Sequence, residues 1–291
     1  MQCSFPRTIK IKKPAHAIFE FKTGVYKSPD IGYGYMKVPC GKCMNCRISR
    51  AREWATRLLH ELDAWQGKGL FVTLTYDEEF LPPGGSLDKK ELQRFFKRLR
   101  RDLNGERIKY FASGEYGDTS NRAHYHAIVY YSCCSNDIKH SIKRCWPLGH
   151  IKFGTVTYDS CRYVAGYITK KLNGPAGEAH YNGRTPPFQL QSQGIGLEWA
   201  EKNKKYLQNK LGITVKGVEV GLPRYYVKKL DLNVKKIKEE SIKRQKCLDE
   251  KIIDKYGETK YSNAMIKSNE QRERNVVSRM NLNDRRKSKK L

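Results

Sequence analysis

Arg122-Ala-His-Tyr-His-Ala-Ile-Val129 is the stretch on which the fold turns. Successive side chains of a strand point to opposite faces, so His124 and His126 share one face and Tyr125 takes the other. Two imidazoles converging from one strand suit a divalent metal. About forty residues later, Asp159 or Ser160 can cap a helix starting near Cys161. Tyr163 and Tyr167 lie on it at i and i+4, one turn apart on one face. Two phenol oxygens can then visit the same place. A metal that polarises a phosphodiester beside two attacking tyrosines points to cutting and rejoining of nucleic acid through a covalent phosphotyrosine. Lys170 completes Tyr-x-x-Lys on nearly the same face, where an ammonium can hold a phosphate or stabilise the phenolate.

Working outward from the histidine strand, residues 45–65 carry Ile48, Ala51, Ala55, Leu58, Leu59 and Leu62 at helical spacing. Residues 70–76 read as a strand by their aromatic and β-branched content. Ser86 caps a second helix with a stripe of Leu92, Phe95, Phe96, Leu99 and Leu103 and a basic outer face that includes Arg98 and Arg101. A strand over 108–113, a loop over 114–121, the histidine strand over 123–131, a helix over 137–146 and a strand over 151–157 follow. This order predicts an α+β fold with a ferredoxin-like split βαβ core and an antiparallel sheet. Helices are expected on one face, with the other free for a substrate. Residues 1–66 form an N-terminal segment with a cysteine cluster and the first helix, 67–175 the core, 176–230 a loop and helical elaboration packed on it, and 231–291 a basic, helical or partly disordered tail.

If the strands before and after residues 114–121 form a hairpin, Glu115 lies at its mouth near His124. Two histidines and a carboxylate leave open positions on Mg²⁺ or Mn²⁺ for phosphate oxygens. Asp118 is the other candidate for the third ligand. A second cluster, Cys40-Gly-Lys-Cys43-Met-Asn-Cys46, can present three thiolates to Zn²⁺ with Cys3 as the fourth, a zinc-knuckle-like extension. An iron–sulfur cluster or unmetallated thiols are the other readings.

Against 57 Lys and Arg stand 30 Asp and Glu, a net charge of +27 that attracts a polyanion and makes binding salt-dependent. Arg122, Lys171, Arg98 and Arg101 are candidate DNA contacts. The chain has no apolar run of about 18 residues, and its first residues, Met1-Gln-Cys-Ser-Phe-Pro-Arg7, have no apolar signal core. A soluble protein of a reducing cytoplasm is expected, with no membrane partner. No Gly-x-x-x-x-Gly-Lys-[Ser/Thr] motif is present, which excludes a P-loop helicase.

His124-Tyr-His126 together with Tyr163-Val-Ala-Gly-Tyr167-Ile-Thr-Lys170 resembles the HUH endonuclease superfamily of two-tyrosine type, and the chain as a whole resembles the replication initiators of gokushovirus-type microviruses. Val38-Pro-Cys-Gly-Lys-Cys-Met-Asn-Cys46, Phe71-Val-Thr-Leu-Thr-Tyr76, Ser113-Gly-Glu-Tyr-Gly117, Gly194-Ile-Gly196 and Gly221-Leu-Pro-Arg-Tyr-Tyr226 also look like segments of those initiators, over roughly residues 3–230. The resemblance implies rolling-circle replication in the cytoplasm of a bacterial host. The enzyme would nick one strand of a supercoiled double-stranded origin, keep the 5′ end as a phosphotyrosine, and leave a 3′-OH for the host DNA polymerase and helicase. It would then rejoin the displaced single strand into a circle. Tyr163 and Tyr167 would be the alternating nucleophiles, Lys170 the accompanying lysine, and His124 and His126 metal ligands. A relaxase or transposase of the same superfamily, or a non-catalytic ferredoxin-like module that stacks bases on an open sheet face, is the alternative.

Overall fold

Alternation along the histidine strand recurs on its neighbours and builds a sheet with two different faces. The computed structural model describes residues 3, 6–12, 33–41, 43–117, 120–170, 179–215, 217–237 and six further positions up to 254. Its residues fall into two compact units that divide between Arg50 and Ala51. In the first unit, β1 (Arg7–Lys12) pairs antiparallel with β2 (Tyr33–Val38), from Arg7 opposite Val38 to Lys12 opposite Tyr33. That register brings Cys3, just before β1, beside Cys40, just after β2. The first turn of α1 (Met44–Ala64) follows at once.

In the second unit, β3 (Gly69–Thr75), β4 (Ile108–Tyr116), β5 (Ala123–Tyr131), β6 (Ile151–Thr155) and β7 (Phe188–Gln191) form one sheet in the order β6-β3-β5-β4-β7, every neighbouring pair antiparallel. The connection from β3 to β4 runs through α2 (Lys89–Asp102), and that from β5 to β6 through α3 (Ser135–Cys145). Two interleaved β-α-β units with antiparallel neighbours make the chain α+β in the split βαβ order. The strand β7 was not legible. Residues 172–193 read as loop, yet Phe188–Gln191 pairs with β4 from Phe111 opposite Gln191 to Gly114 opposite Phe188. Four residues are too few for periodicity to register.

The helices lie on both faces of this sheet, which corrects the expectation of one open face. Leu92, Phe95, Phe96 and Leu99 of α2 and Ile138 and Ile142 of α3 pack on Val72, Leu74, Ala112, Tyr125, Ala127 and Val129. The other face carries Phe71, Phe111, Ile128 and Tyr130, too apolar to stay wet. Ala55 and Leu58 of α1 and Cys161, Val164 and Ala165 of α4 (Tyr158–Lys170) cover it. Each such side chain, fully buried, is worth roughly 1.5–3 kcal/mol. Tyr125 faces away from the histidines, as alternation requires. Its hydroxyl bonds Tyr76 Oη at 2.8 Å, accepts from Asp88 N and donates to Asp88 O. Burial pushes Tyr125 up to about 12, so this phenol is a strut rather than a nucleophile.

Two helix starts differ from expectation. Asp88, not Ser86, caps α2, accepting from Lys90 N at 2.7 Å and Glu91 N at 3.1 Å, while Ser86 Oγ takes Thr185 N. A carboxylate accepts more strongly than a hydroxyl at a positive helix end. The tyrosine helix begins at Tyr158 through a reciprocal pair, Thr157 N to Ser160 Oγ at 2.7 Å and Ser160 N to Thr157 Oγ1 at 3.2 Å.

Beyond β7, the expected single helix is broken at Asn203 into α5 (Leu197–Lys202) and α6 (Lys204–Lys210). A hairpin of β8 (Gly212–Val215) and β9 (Val218–Gly221) follows, then α7 (Arg224–Lys229) where an extended segment was expected. The Gly194–Gly196 and Gly221–Tyr226 motifs meet α1 here. Arg57 donates twice to Ile195 O and lies between the rings of Trp54 and Tyr225. His60, stacked on Trp199 with ring centroids 3.5 Å apart, shares a hydrogen bond with Tyr226 Oη. Burial pushes it down to about 4, so it stays neutral. Buried Glu61 accepts from Gly196 N and Trp65 Nε1 and pairs with Lys109. At Gly196, φ is +75°, and a Cβ would collide with Tyr226 Oη and stand 2.9 Å from Arg57 O. Gly196→Ala is therefore expected to destabilise by about 2–4 kcal/mol, read as a lowered urea midpoint with unchanged slope.

Most of the tail expected over 231–291 lies outside the described residues. No helix among the described residues is long and apolar enough to cross a membrane.

Candidate metal centre and tyrosine pair

The β4–β5 ladder sets Glu115 directly opposite His124 and Ser113 opposite His126, while β3 sets Thr73 opposite His126 and Thr75 opposite His124. Directly paired residues point to the same face, so these groups form one polar patch. Glu115 was expected in a loop. The strand instead continues through Tyr116 because Ala123 and His124 are its ladder partners. Glu115 Oε1 lies 2.9 Å from both His124 Nε2 and His126 Nε2.

The second ring nitrogens fix the chemistry. His124 Nδ1 sits 3.0 Å from Arg122 O, a pure acceptor, so Nδ1 carries the proton and a neutral ring turns its Nε2 lone pair toward the Glu115 carboxylate. Two acceptors 2.9 Å apart need a cation between them. His126 Nδ1 is held 3.0 Å from Thr73 Oγ1. In an octahedral site with ligands at roughly 2.1 Å, neighbouring donor atoms lie about 3 Å apart, and the two nitrogens and the carboxylate oxygen meet that requirement. Ser113 Oγ is buried, with no hydrogen-bond partner among the described residues, as a group awaiting a water or phosphate oxygen would be. The donor set fits a hard divalent ion.

Helix α4 crosses this patch. The rings of Tyr163 and Tyr167 lie 5.1 and 5.4 Å from the His126 ring, the first edge-on and the second stacked, and 4.8 Å from each other. Phe71 packs against both His126 and Tyr163. Tyr167 is 4 % exposed, and Tyr163 is half-buried. Five of the residues singled out from the sequence, Glu115, His124, His126, Tyr163 and Tyr167, thus come together.

The others do not all join them. Lys170 ends α4, with its side chain outside the described residues, as are Lys171 and Asp118. Arg122 pairs with Glu78 and donates to Tyr76 O at 2.8 Å, clamping the loop after β3 beside His124. Arg98 bonds Glu91 at 2.9 Å and Cys145 O at 3.2 Å, and Arg101 is exposed on the same helix, α2, which covers the sheet face away from the histidines. Thr73 and Ser113 were missed as site residues. Their signal lay in the register of neighbouring strands, which no single strand reveals.

In the first unit, Cys3, Cys40, Cys43 and Cys46 present four sulfurs within 4.8 Å of one another. Cys3 and Cys43 Sγ are 3.8 Å apart, Cys40 and Cys46 Sγ 3.9 Å. The edge of a tetrahedron with Zn–S of about 2.3 Å is roughly 3.8 Å, whereas a disulfide needs about 2 Å. Cys40 N and Cys43 N each donate to a cluster sulfur at 3.2 Å. Burial, with added hydrogen bonds from Cys3 and Cys43, pushes the Cys46 thiol up to about 12, so a cation is needed to hold four thiolates together.

The family model for replication-associated proteins of the ORF2 type matches residues 69–172, the span from β3 through α4 and just beyond it. The chain is 32% identical over 246 residues to the Replication-associated protein VP4 of Bdellovibrio phage phiMH2K, covering 72% of this chain and 76% of that protein. It is 27% identical over 320 aligned positions to the Replication-associated protein ORF2 of Spiroplasma virus 4, covering 96% and 97%. It is also 27% identical over 210 residues to the Replication-associated protein ORF4 of Chlamydia phage 1, covering 65% and 52%. No solved structure matches. With this extent of shared sequence, the chain belongs to the family of microvirus replication-associated proteins.

Proposed function

We propose that this chain is an HUH-type endonuclease that initiates rolling-circle replication of phage DNA by nicking and rejoining one strand through a phosphotyrosine. The observation that carries this reading is the packing of two phenol rings on one face of α4 against His126, which shares a carboxylate oxygen with His124. Glu115, His124 and His126 would hold Mg²⁺ or Mn²⁺, which supplies charge stabilisation to the non-bridging oxygens of the scissile phosphate. Arg122 O and Thr73 Oγ1 keep the two imidazoles turned toward that point.

One tyrosine oxygen attacks phosphorus, loses its proton, and displaces the 3′ oxygen, which leaves as a hydroxyl. The phosphodiester is exchanged for a phosphotyrosine of similar energy, so no nucleotide cofactor is required. After one round, the second tyrosine attacks the regenerated junction, and the released 3′-OH attacks the first phosphotyrosine to close the circle. Two nucleophiles one turn apart favour initiation coupled to termination over a relaxase or transposase. The 3′-OH left by the nick is a primer for a host polymerase, with a host helicase opening the duplex.

The test is incubation of single-stranded origin oligonucleotides with the protein and Mg²⁺ or Mn²⁺. A covalent adduct that survives denaturation is expected. Its absence across the whole phage genome would exclude the reading.

The thiol cluster is read as a structural Zn²⁺ site that joins the β1–β2 hairpin to the start of α1. Purified protein is expected to carry one zinc per chain by elemental analysis and to lose it in Cys43→Ser, which also removes one of the paired sulfurs. Iron in its place would overturn the assignment.

A further inference from the structure

The metal patch is one part of a longer row of side chains across the sheet. The ladders run Lys152 opposite Thr73, Thr73 opposite His126, and His126 opposite Ser113, so Lys152 stands on the same face as the histidines. It lies on β6, the edge strand, two strands from His126. At roughly 4.8 Å per strand its Cα is about 9.6 Å away from that of His126. Lys152 is exposed, and its ammonium has no acidic partner among the described residues. One pleat further along β6 the face closes. Gly154 is opposite Phe71, and a Cβ there would stand 3.3 Å from that ring, which packs under Tyr163. The row of Lys152 is therefore where the cover ends.

We propose that Lys152 holds a backbone phosphate of the DNA strand adjacent to the phosphate under attack, and so sets the position of the strand over the metal patch. This rests on the nuclease reading above. The attacked phosphate belongs beside Glu115, His124 and His126, where the tyrosine rings are. A cation displaced by two strands, on a flexible four-carbon stem, reaches the next phosphate along an extended strand rather than the same one. The chemistry required is a single negative charge on non-bridging oxygens, with no base readout, so Lys152 contributes position and affinity and leaves sequence choice to other residues. Among the basic residues considered from the sequence, Arg98 and Arg101 lie on a helix over the opposite face, which leaves this role unfilled by them.

The experiment measures binding and cleavage separately. Binding of a single-stranded origin oligonucleotide is followed over a salt series with Tyr163→Phe, Tyr167→Phe protein, with and without Lys152→Ala. Loss of one phosphate contact is expected to reduce the slope of log K against log salt by about 0.7. Lys152→Arg should restore it. Oligonucleotides with one neutral methylphosphonate are then scanned across the site. One position next to the scissile phosphate should weaken binding of the Lys152 protein while leaving Lys152→Ala unaffected. An unchanged slope, or the same methylphosphonate profile in both proteins, would overturn the proposal. So would an effect confined to the scissile phosphate itself. Covalent adduct formation by protein with both tyrosines intact, measured in parallel, separates failure of this contact from failure of the nuclease reading.

Discussion

Protein carrying both Tyr163→Phe and Tyr167→Phe is expected to form no covalent adduct with origin DNA, a loss of at least about 10³-fold on the scale seen when a nucleophile is deleted. Each single variant should still cleave. Both rings lie within 5.1 to 5.4 Å of His126 by centroid, so each phenol has access to the same phosphate. The two should not cleave equally. Tyr167 is nearly buried and stacked flat on His126, whereas Tyr163 is half-buried and edge-on, so Tyr163→Phe should slow the first cleavage more than Tyr167→Phe. Joining differs from cleavage. A single variant has its one phenol occupied after the first nick, so it should stall as an adduct and release few closed single-stranded circles. Mass spectrometry of the adduct should find DNA on these two residues only. Attachment elsewhere, to Tyr76 or Tyr125 for example, would contradict both the assignment and the burial that keeps Tyr125 protonated.

Much of this arrangement was legible in the chain itself, and the reason is periodicity. The two-residue period of β5 put His124 and His126 on one face with Tyr125 opposed, and the four-residue spacing on α4 put the tyrosines together. Such signals are local, and the sheet order followed from the order of elements. What was missed depends on contacts between segments far apart in sequence. Thr73 and Ser113 became site residues only through strand register, and the second helical layer arose because Phe71, Phe111, Ile128 and Tyr130 form an apolar face only once three strands lie side by side. The basic outer face of α2 illustrates the opposite error. Charge alone suggested DNA contact for Arg98 and Arg101, yet α2 covers the sheet face away from the histidines, and Arg98 is held by Glu91 and Cys145 O. Ser86 and Asp88 were both plausible caps by type, and only the demand of Thr185 N on Ser86 Oγ separates them.

Replacing the metal-facing side chains is the second large effect. Alanine at His124 or His126, or glutamine at Glu115, is expected to lower nicking by about 10² to 10³-fold or more, as expected when a preorganised source of transition-state charge is lost. Binding of single-stranded DNA should be nearly unchanged, since the net charge of +27 remains the source of affinity. The three positions should behave as a unit, because Glu115 Oε1 lies 2.9 Å from both Nε2 atoms and removal of any member leaves two donors facing an incomplete site. Mn²⁺ binding followed by electron paramagnetic resonance gives a readout independent of cleavage, and each variant should bind the ion more weakly by at least about tenfold. Changing the residues behind the ligands should have a smaller effect. Thr73→Val removes the group 3.0 Å from His126 Nδ1, and a loss on the order of 10–100-fold in metal affinity is expected. Asp118→Ala decides the third ligand. If Glu115→Gln binds Mn²⁺ as well as the unaltered protein while Asp118→Ala does not, the carboxylate at the metal has been misassigned. If the double variant His124→Ala, His126→Ala nicks at full rate, no metal held by these strands takes part in the reaction.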